Sequence, residues 1–283
     1  PFFSPDGQWL GFAAGGKLKK ISVNGGAALT LADAALSGGA SWSSQGMIVF
    51  SPTMTGPLQQ VSAAGGSPQP LTTLEKGEGV HRWPQFLPGG NAVLFSGGIN
   101  NNLRVSVYSI ATGKRQDLIE AASHPSYSPT GHLLYAQGGT LMAAPFDSQK
   151  LQLTGAAFPV VENVLQNPTT GAAQYSISST GSLIYISGGI QATQNKLVSV
   201  SRNGMEQPLA APTHVYRAPR FSPDGQKIAV DVEEQGIKNL IEVGKKKGAK
   251  KIIHVSAAGV GPHCRSDMYG AKHQAEEAIR NSG

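Results

Sequence analysis

The apolar residues of this chain fall into short runs of four to six residues, bounded by Gly, Pro, Ser and Asp. Runs of this length between turn-forming residues are typical of β-strands, because helices need roughly ten or more residues with a 3.6-residue period. Six such runs predict six strands: Trp9–Ala13, Met47–Phe50, Ala92–Phe95, His132–Tyr135, Ser182–Ile186 and Lys227–Val232.

A turn motif precedes each of these strands. In its fullest form it is Ser-Pro-Asp-Gly, where Pro presets the first corner of the turn and Gly accepts a positive φ at its end. The motif recurs at spacings of 39, 44, 41, 50 and 44 residues: Ser4-Pro5-Asp6-Gly7, Ser43-Ser44-Gln45-Gly46, Leu87-Pro88-Gly89-Gly90, Ser128-Pro129-Thr130-Gly131, Ser178-Ser179-Thr180-Gly181 and Ser222-Pro223-Asp224-Gly225.

Each repeat also contains further strands. A short strand precedes the turn, and later strands follow, as at Leu18–Val23 and Leu29–Leu31. Four strands per period bury their faces only if neighbouring units stack, as the blades of a β-propeller do. A β-sandwich also has short strands but does not account for six turns at one long period. We therefore predict an all-β fold over residues 1–236, a β-propeller with five full four-stranded blades and a partial sixth.

Composition and charge exclude several classes of protein. Charged residues make up 14% of the chain, against about 25% in an average protein, which disfavours helical bundles and coiled coils. The net charge of +6 divides into +1 over residues 1–236 (14 basic, 13 acidic) and +5 over residues 237–283 (9 basic, 4 acidic). The basic cluster Lys245–Lys251 lacks interleaved aromatic residues, so we expect no nucleic-acid partner. No apolar run approaches the roughly 18 residues of a transmembrane helix, so we expect no membrane span.

Few residues have recognisable chemistry. The His residues show no metal-ligand spacing, and Cys264 is the only cysteine, so no internal disulfide is possible. The stretch His81-Arg82-Trp83 fits a buried or blade-edge position better than a ligand site. We predict no catalytic, cofactor-binding or metal-binding residue, no cofactor, and leave the partner-binding residues unknown. Five aromatic residues are interpreted as inter-blade packing rather than a binding cage: Trp42, Trp83, Tyr127, Tyr175 and Phe221.

The repeat resembles the TolB-like, WD40-like propeller repeat in its Ser-Pro-Asp-Gly hairpin and its Gly-Gly…Leu-Thr end. Over about residues 1–236 the chain further resembles the propeller attached to bacterial serine/threonine protein kinases, in Pro1–Leu31, His81–Phe95, Gly139–Phe146 and Asn167–Gly171. This resemblance implies a propeller outside the cytoplasm, following a kinase domain and a membrane span. The chain itself contains no kinase motif. Because it begins with Pro1, we expect a partial or processed chain.

The last 47 residues follow another pattern. Asn239–Lys247 predicts a helix, Ile252–Ser256 a strand and Tyr269–Arg280 a second helix. This order is typical of an α/β layer, so we predict a short helix–strand–helix appendage over residues 237–283. The alternative is that Ile237–Val243 and Lys250–Val255 continue the sixth blade. With an α/β tail the propeller ring would be incomplete and would keep open strand edges.

Residues 237–283 resemble an extended or atypical short-chain dehydrogenase, of the NAD-dependent epimerase or NmrA-like sort. The resemblance places Ser256 near that family's strand-end serine, and Tyr269 and Lys272 in its Tyr-x-x-x-Lys helix. Tyr269 and Lys272 are three residues apart instead of four, which rotates Lys272 by about 100°. The Gly-rich loop that holds the cofactor pyrophosphate is absent from the chain. These departures indicate that two unrelated sequences are joined near residue 236, by a gene fusion or by an error in sequence assembly.

The sequence thus predicts a non-catalytic interaction or sensor module. Propellers bind through loops at the mouths of the central channel, so we expect a protein or small-molecule ligand there. One alternative is an NAD(P)-dependent oxidoreductase or epimerase, represented only by residues 237–283. Another is a propeller hydrolase, such as a lactonase or peptidase, with a metal ion in the channel.

Overall fold

The computed structural model describes residues 1–35, 38–99, 102–190, 197–200, 204–209, 216–225 and 228–232. Within these ranges the chain consists of β-strands joined by turns and loops. No helix long and apolar enough to cross a membrane occurs in them. The helix–strand–helix appendage predicted for residues 237–283, with Ser256, Tyr269 and Lys272, lies outside the described residues, and it stays a prediction together with the boundary at residue 236.

The strands form six antiparallel sheets that follow one another along the chain. This confirms the predicted five full blades, and the described residues also contain the first two strands of the sixth. Blade 1 contains β1 (Phe2–Phe3), β2 (Trp9–Ala14), β3 (Lys17–Ser22) and β4 (Leu29–Ala32); blade 2 contains β5 (Ala40–Trp42), β6 (Met47–Phe50), β7 (Gln59–Ser62) and β8 (Gln69–Pro70); blade 3 contains β9 (Val80–Phe86), β10 (Ala92–Ile99), β11 (Asn102–Ser109) and β12 (Arg115–Ile119); blade 4 contains β13 (Ser123–Ser128), β14 (His132–Gln137), β15 (Thr140–Asp147), β16 (Gln152–Leu153) and β17 (Phe158–Val161); blade 5 contains β18 (Tyr175–Ile177), β19 (Leu183–Ile186), β20 (Leu197–Val200) and β21 (Glu206–Pro208); and blade 6 contains β22 (Tyr216–Phe221) and β23 (Ile228–Val232).

All six predicted turns are present and have the same hydrogen bond. In each turn the amide of the fourth residue, a glycine with positive φ, donates to the carbonyl of the first residue at 2.9 to 3.1 Å. The first residue is a buried serine in every turn except the third, which has Leu87. The hydroxyls of Ser4, Ser43 and Ser178 also accept from the amides of Trp9, Met47 and Ser182, where the following strand begins. The hydroxyls of Ser128 and Ser222 bind Thr130 and Asp224 within their own turns, so serine adds a second hydrogen bond in each case.

The hydrophobic core lies between the blades. On β6, Ile48 and Phe50 pack against Leu18 of blade 1, whereas the intervening Val49 packs against Phe95 of blade 3. Successive residues of a strand point to opposite faces of the sheet. A run that is apolar at every position therefore needs a neighbouring blade on both sides of its sheet. The apolar runs of the sequence are continuous because both faces of these strands are buried.

The first strand of each sheet lies at the centre of the ring. Each first strand contacts the next one along the chain, and β22 of blade 6 contacts β1 of blade 1. The inner wall is therefore a closed circle of six strands. The expected incomplete ring concerns the outer strands of the sixth unit, which lie outside the described residues, and it stays a prediction.

A buried polar cluster joins blade 2 to blade 3. Thr72 Oγ1 lies 2.8 Å from His81 Nδ1, and His81 Nε2 lies 3.1 Å from Glu78 Oε2. Arg115 reaches the two carboxylate oxygens of Glu78 at 2.7 Å each. Gly97 leaves room for the cluster, because a Cβ there would lie 3.2 to 3.3 Å from atoms of His81, Arg115 and Glu78. The side chains of Glu78 and His81 are fully buried, which confirms the buried position expected for His81.

The cluster shifts the pKa values of its members. Burial alone would raise the pKa of Glu78, but hydrogen bonds from Arg115, the Glu75 amide and His81 lower it to about 2. Burial lowers the pKa of His81, and Glu78 offsets only part of this effect. Both groups bind protons more weakly in the folded chain than in the unfolded chain. Their contribution to stability is therefore present near neutral pH and is lost as the pH falls.

We predict that Glu78→Gln lowers the free energy of unfolding at pH 7 by about 1.5–3 kcal/mol, because it removes the buried carboxylate that binds Arg115 through two hydrogen bonds, while Asp117 still pairs with Arg115. The wild-type free energy should fall between pH 4.5, the ordinary pKa of Glu78, and about pH 2, and the slope should be shallower in the variant. Urea denaturation at a series of pH values measures both effects. Glu162→Gln is the matched control, because Glu162 is exposed and lies outside the cluster, and it should change the free energy by at most about 0.5 kcal/mol. Equal stability of wild type and Glu78→Gln at pH 7 would contradict the role of the cluster.

Candidate functional site

The candidate functional site is the central channel. Its cavity has a volume of about 510 Å³ and is lined by residues of the first strands of all six sheets. At one end lies the turn rim, formed by Pro5, Ser44, Pro88, Pro129, Ser179 and Pro223. The channel floor consists of Trp83, His124 and Tyr175, which lie three or four residues before their turns, and of Arg220, whose guanidinium donates to the Tyr175 carbonyl.

Identical β-bulges shape the first strands of blades 3, 4 and 6. In each, two residues of the first strand oppose a single residue of the second strand, and the second of the two is a proline: Trp83-Pro84, His124-Pro125 and Ala218-Pro219. Proline cannot donate to a strand ladder, so within sheets it occurs at edges and bulges. A bulge also turns a side chain away from its regular direction. The bulges therefore account for the way in which Trp83 and His124 reach the channel.

Trp83 and His124 have left-handed backbones, with φ of 53° and 51°. Such values cost on the order of 1–3 kcal/mol for residues with a Cβ and cluster at binding and catalytic sites. The surrounding contacts hold this conformation. The indole and imidazole rings stack with centroids 5.0 Å apart and an interplanar angle of 12°, and the Tyr175 hydroxyl donates to the carbonyl of His124. Blades 3, 4 and 5 thus form the aromatic part of the floor, and Arg220 of blade 6 completes it.

His124 is neutral and has a defined tautomer. The amide of Ala173 donates to its Nδ1 at 2.9 Å, so the ring proton is on Nε2. Burial and the nearby charge of Arg220 hold the pKa of His124 well below its ordinary value. Nε2–H has no partner among the described residues, so it is a hydrogen-bond donor that remains available at the floor.

Arg220 is the only charged side chain among the described residues that line the cavity. Its guanidinium donates to the carbonyl of Pro219 at 2.8 Å and to that of Tyr175 at 3.4 Å, both through one terminal nitrogen. No carboxylate of the described residues pairs with it. Among the described residues, the one side-chain nitrogen that is both buried and without a partner is Arg82 Nε. The remaining nitrogens of Arg220 are therefore not buried, and they are accessible from the channel that Arg220 lines. Burial lowers the pKa of Arg220, which means that its charge is poorly solvated.

Side chains of the wall connect successive first strands by hydrogen bonds. The Phe86 amide donates to Ser41 Oγ at 3.0 Å, and the Phe221 amide donates to Ser176 Oγ at 3.1 Å. The Tyr127 amide donates in the same way to the Gln85 side-chain oxygen. In each case a polar side chain of one blade accepts from the backbone of the next blade.

Behind the floor, Arg82 joins two loops. Its terminal nitrogens donate to the carbonyl of Met54, at 2.8 Å, and to that of Thr170, at 3.4 Å. Trp83 Nε1 donates to the same Thr170 carbonyl at 2.9 Å. Arg82 is 7% exposed, so it has the buried position expected from the sequence and supports the floor from the side opposite the cavity.

The five aromatic residues interpreted as inter-blade packing have two different roles. Trp42 packs edge-on against Phe2 of blade 1, with ring centroids 6.3 Å apart, which confirms the inter-blade packing. Trp42, Tyr127 and Phe221 directly precede their turns, but Trp83 lies four residues and Tyr175 three residues before theirs. These two residues are therefore not equivalent to the others, and they form the channel floor together with His124 and Arg220. The sequence contained a sign of this in the X-Pro dipeptides before three of the turns.

The cluster of blades 2 and 3 has the order hydroxyl–imidazole–carboxylate that many hydrolases use. Its hydroxyl is not placed for catalysis. Thr72 is 5% exposed, and its Oγ1 already accepts a hydrogen bond from the Leu58 amide at 2.9 Å. In the described part of the chain, no three His, Cys, Asp or Glu side chains lie together where they could hold a metal ion.

No protein-family model matches the chain, and no curated protein matches it significantly. Solved structures share its fold. A putative TolB from Agrobacterium tumefaciens has a TM-score of 0.62 and 15% identity, over 80% of this chain and 86% of that chain. TolB from Acinetobacter baumannii has a TM-score of 0.59 and 15% identity, over 80% of this chain and 58% of that chain. Regucalcin, a calcium-binding protein from Agrobacterium tumefaciens, has a TM-score of 0.58 and 16% identity, over 81% and 80% of the two chains.

At these identities the likeness concerns the fold. The TolB structures bear out the resemblance of the repeat to a TolB-like propeller at the level of architecture. The described residues of the chain thus form a β-propeller with the blade arrangement of TolB-like proteins.

Proposed function

We propose that this chain is a non-catalytic binding module that takes up a ligand in its central channel. The observation that carries this proposal is the cavity of about 510 Å³, whose lining comes from all six sheets. A ligand in this position contacts every blade, as expected for an interaction or sensor domain.

The chemistry of the described lining favours binding over catalysis. A general base must offer a free lone pair to the proton that it removes. The lone pair of His124 is at Nδ1, which already accepts from Ala173, and its free nitrogen bears a proton. Among the described residues, the lining has no Asp or Glu to replace it. The floor can therefore hold and orient a ligand, but it has no group that activates a nucleophile.

The proposal extends to the place of the module in a larger protein. We infer that it is the extracytoplasmic part of a bacterial serine/threonine kinase-like protein. The support is the similarity of segments such as Pro1–Leu31 and His81–Phe95 to kinase-attached propellers. In this arrangement the channel would bind a protein or small molecule outside the cytoplasm, and binding would change the activity of the kinase domain.

We predict that Ser126→Trp abolishes ligand binding without unfolding the ring. Ser126 lies on β13 and lines the cavity, so an indole at this position would fill part of the channel. The measurement is the ligand-induced shift in melting temperature across a panel of carboxylates, phosphates, neutral sugars and short peptides. Thr30→Trp is the matched control. Thr30 is exposed on the outer strand β4, so this substitution should leave the shifts unchanged.

Shifts that persist in Ser126→Trp, or no shift with any class of compound, would overturn channel binding. Turnover of ester or lactone substrates would contradict a non-catalytic role.

We further predict that the coding sequence upstream of Pro1 encodes a kinase domain. It should contain a glycine-rich loop, a strand lysine and the His-Arg-Asp and Asp-Phe-Gly motifs, followed by an apolar span of about 20 residues. Lys and Arg should be more frequent on the kinase side of that span. Sequencing the upstream DNA checks this, and an upstream region without these motifs would contradict the proposed kinase attachment while leaving the binding module intact.

A further inference from the structure

We propose that the channel floor is a carboxylate receptor: Arg220 binds the carboxylate of an organic ligand, and neutral hydrogen-bond donors of the floor and wall orient it. This inference rests on the proposed function, because it names the chemical class of the ligand that the channel would take.

The charge of the described lining favours an anion. Arg220 is its single charged side chain, and only carbonyl oxygens of Pro219 and Tyr175 accept from it. A cation in a partly buried position that lacks a counter-ion is poorly stabilised, and a bound anion would supply the missing partner. His124 does not add a second charge, because it is neutral. The described lining therefore offers one positive charge to the ligand.

Four side chains of the lining have a donor left over after their acceptor is bound. Ser41 Oγ and Ser176 Oγ accept from backbone amides of the next blade, which leaves their hydroxyl protons to donate. The Gln85 side-chain oxygen accepts from the Tyr127 amide, so its NH₂ group is left as a donor. His124 offers Nε2–H for the same reason. Trp83 and Tyr175 use their donors on backbone carbonyls, but Ser41, Gln85, Ser176 and His124 each have a bound acceptor and a donor that is left over. These four donors are complementary to a ligand that only accepts, such as an ionised carboxylate.

The same features favour a carboxylate over a phosphate monoester. The planar guanidinium matches a carboxylate in a bidentate arrangement. A phosphate monoester carries close to two negative charges at neutral pH, and the described lining has one positive charge to balance them. The stacked rings of Trp83 and His124 and the ring of Phe3 provide apolar surface for the body of the ligand. The expected ligand is thus a monocarboxylate with an aromatic or apolar body.

The test compares matched ligands on the full chain by isothermal titration calorimetry. Hippurate is the carboxylate probe, hippuramide is its neutral amide, and phenyl phosphate is the phosphate probe. We expect hippurate to bind at least about tenfold more tightly than hippuramide and phenyl phosphate, since a charge-assisted hydrogen bond is stronger than a neutral one. Arg220→Gln should lose at least about tenfold in hippurate affinity, and Arg220→Lys should retain part of it because it keeps the charge without the planar fork. Lys114→Gln, which removes an exposed charge outside the channel, should bind like the wild type.

The ligand comparison uses the wild-type chain, so it remains decisive if Arg220→Gln does not fold. Equal binding of hippurate and hippuramide, or unchanged hippurate binding by a folded Arg220→Gln variant, would overturn the carboxylate receptor while leaving channel binding in place. Tighter binding of phenyl phosphate than of hippurate would overturn the choice of carboxylate. Channel binding of neutral sugars or peptides without any response to hippurate would also overturn this inference alone, whereas no response to any class of compound would overturn the proposed function as well.

Discussion

The structure depends on the burial of both faces of each sheet. A strand such as β6 has apolar side chains on alternate faces, with Phe50 on one and Val49 on the other, and each is fully buried against a different neighbouring blade. Alone in water such a sheet would expose both of its apolar faces, so it needs a neighbour on each side. A succession of these sheets buries all of its faces by packing around an axis, and this packing places the first strand of every blade at the centre.

The central position of the first strands creates a second requirement. A first strand pairs with its sheet on one side only, so backbone amides on its other edge need acceptors. The chain provides them as side chains of the preceding blade, at Ser41, Gln85 and Ser176. The hydrogen bonds that hold the inner wall together thus determine which polar groups remain for a ligand. The contacts that stabilise the ring are thus the same ones from which we infer the selectivity of the channel.

The parts of the fold that follow local rules were predictable from the sequence. The six turns recur because each needs a glycine with positive φ at its fourth position, and the strands after them are apolar because both faces are buried. The channel floor was not predictable in the same way. Trp83 and His124 reach the floor through bulges, which the local pattern does not predict. The role of Arg220 as an unpaired charge depends on which groups of other blades lie near its guanidinium. The sequence does contain one useful sign, since Pro84, Pro125 and Pro219 each lie three residues before a turn. The helix–strand–helix segment after residue 236 was argued from local pattern and family resemblance, and it stays a prediction.

The bulges separate architecture from recognition. In β9 and β13 the proline fixes where strand pairing is interrupted, while the residue before it supplies the side chain that meets the cavity. That preceding residue has no partner in the register of strand pairing, which continues on either side of the bulge. Single substitutions at positions 83 and 124 therefore change the chemistry of the pore surface. A redesign of the pore for another ligand would begin at the same two positions.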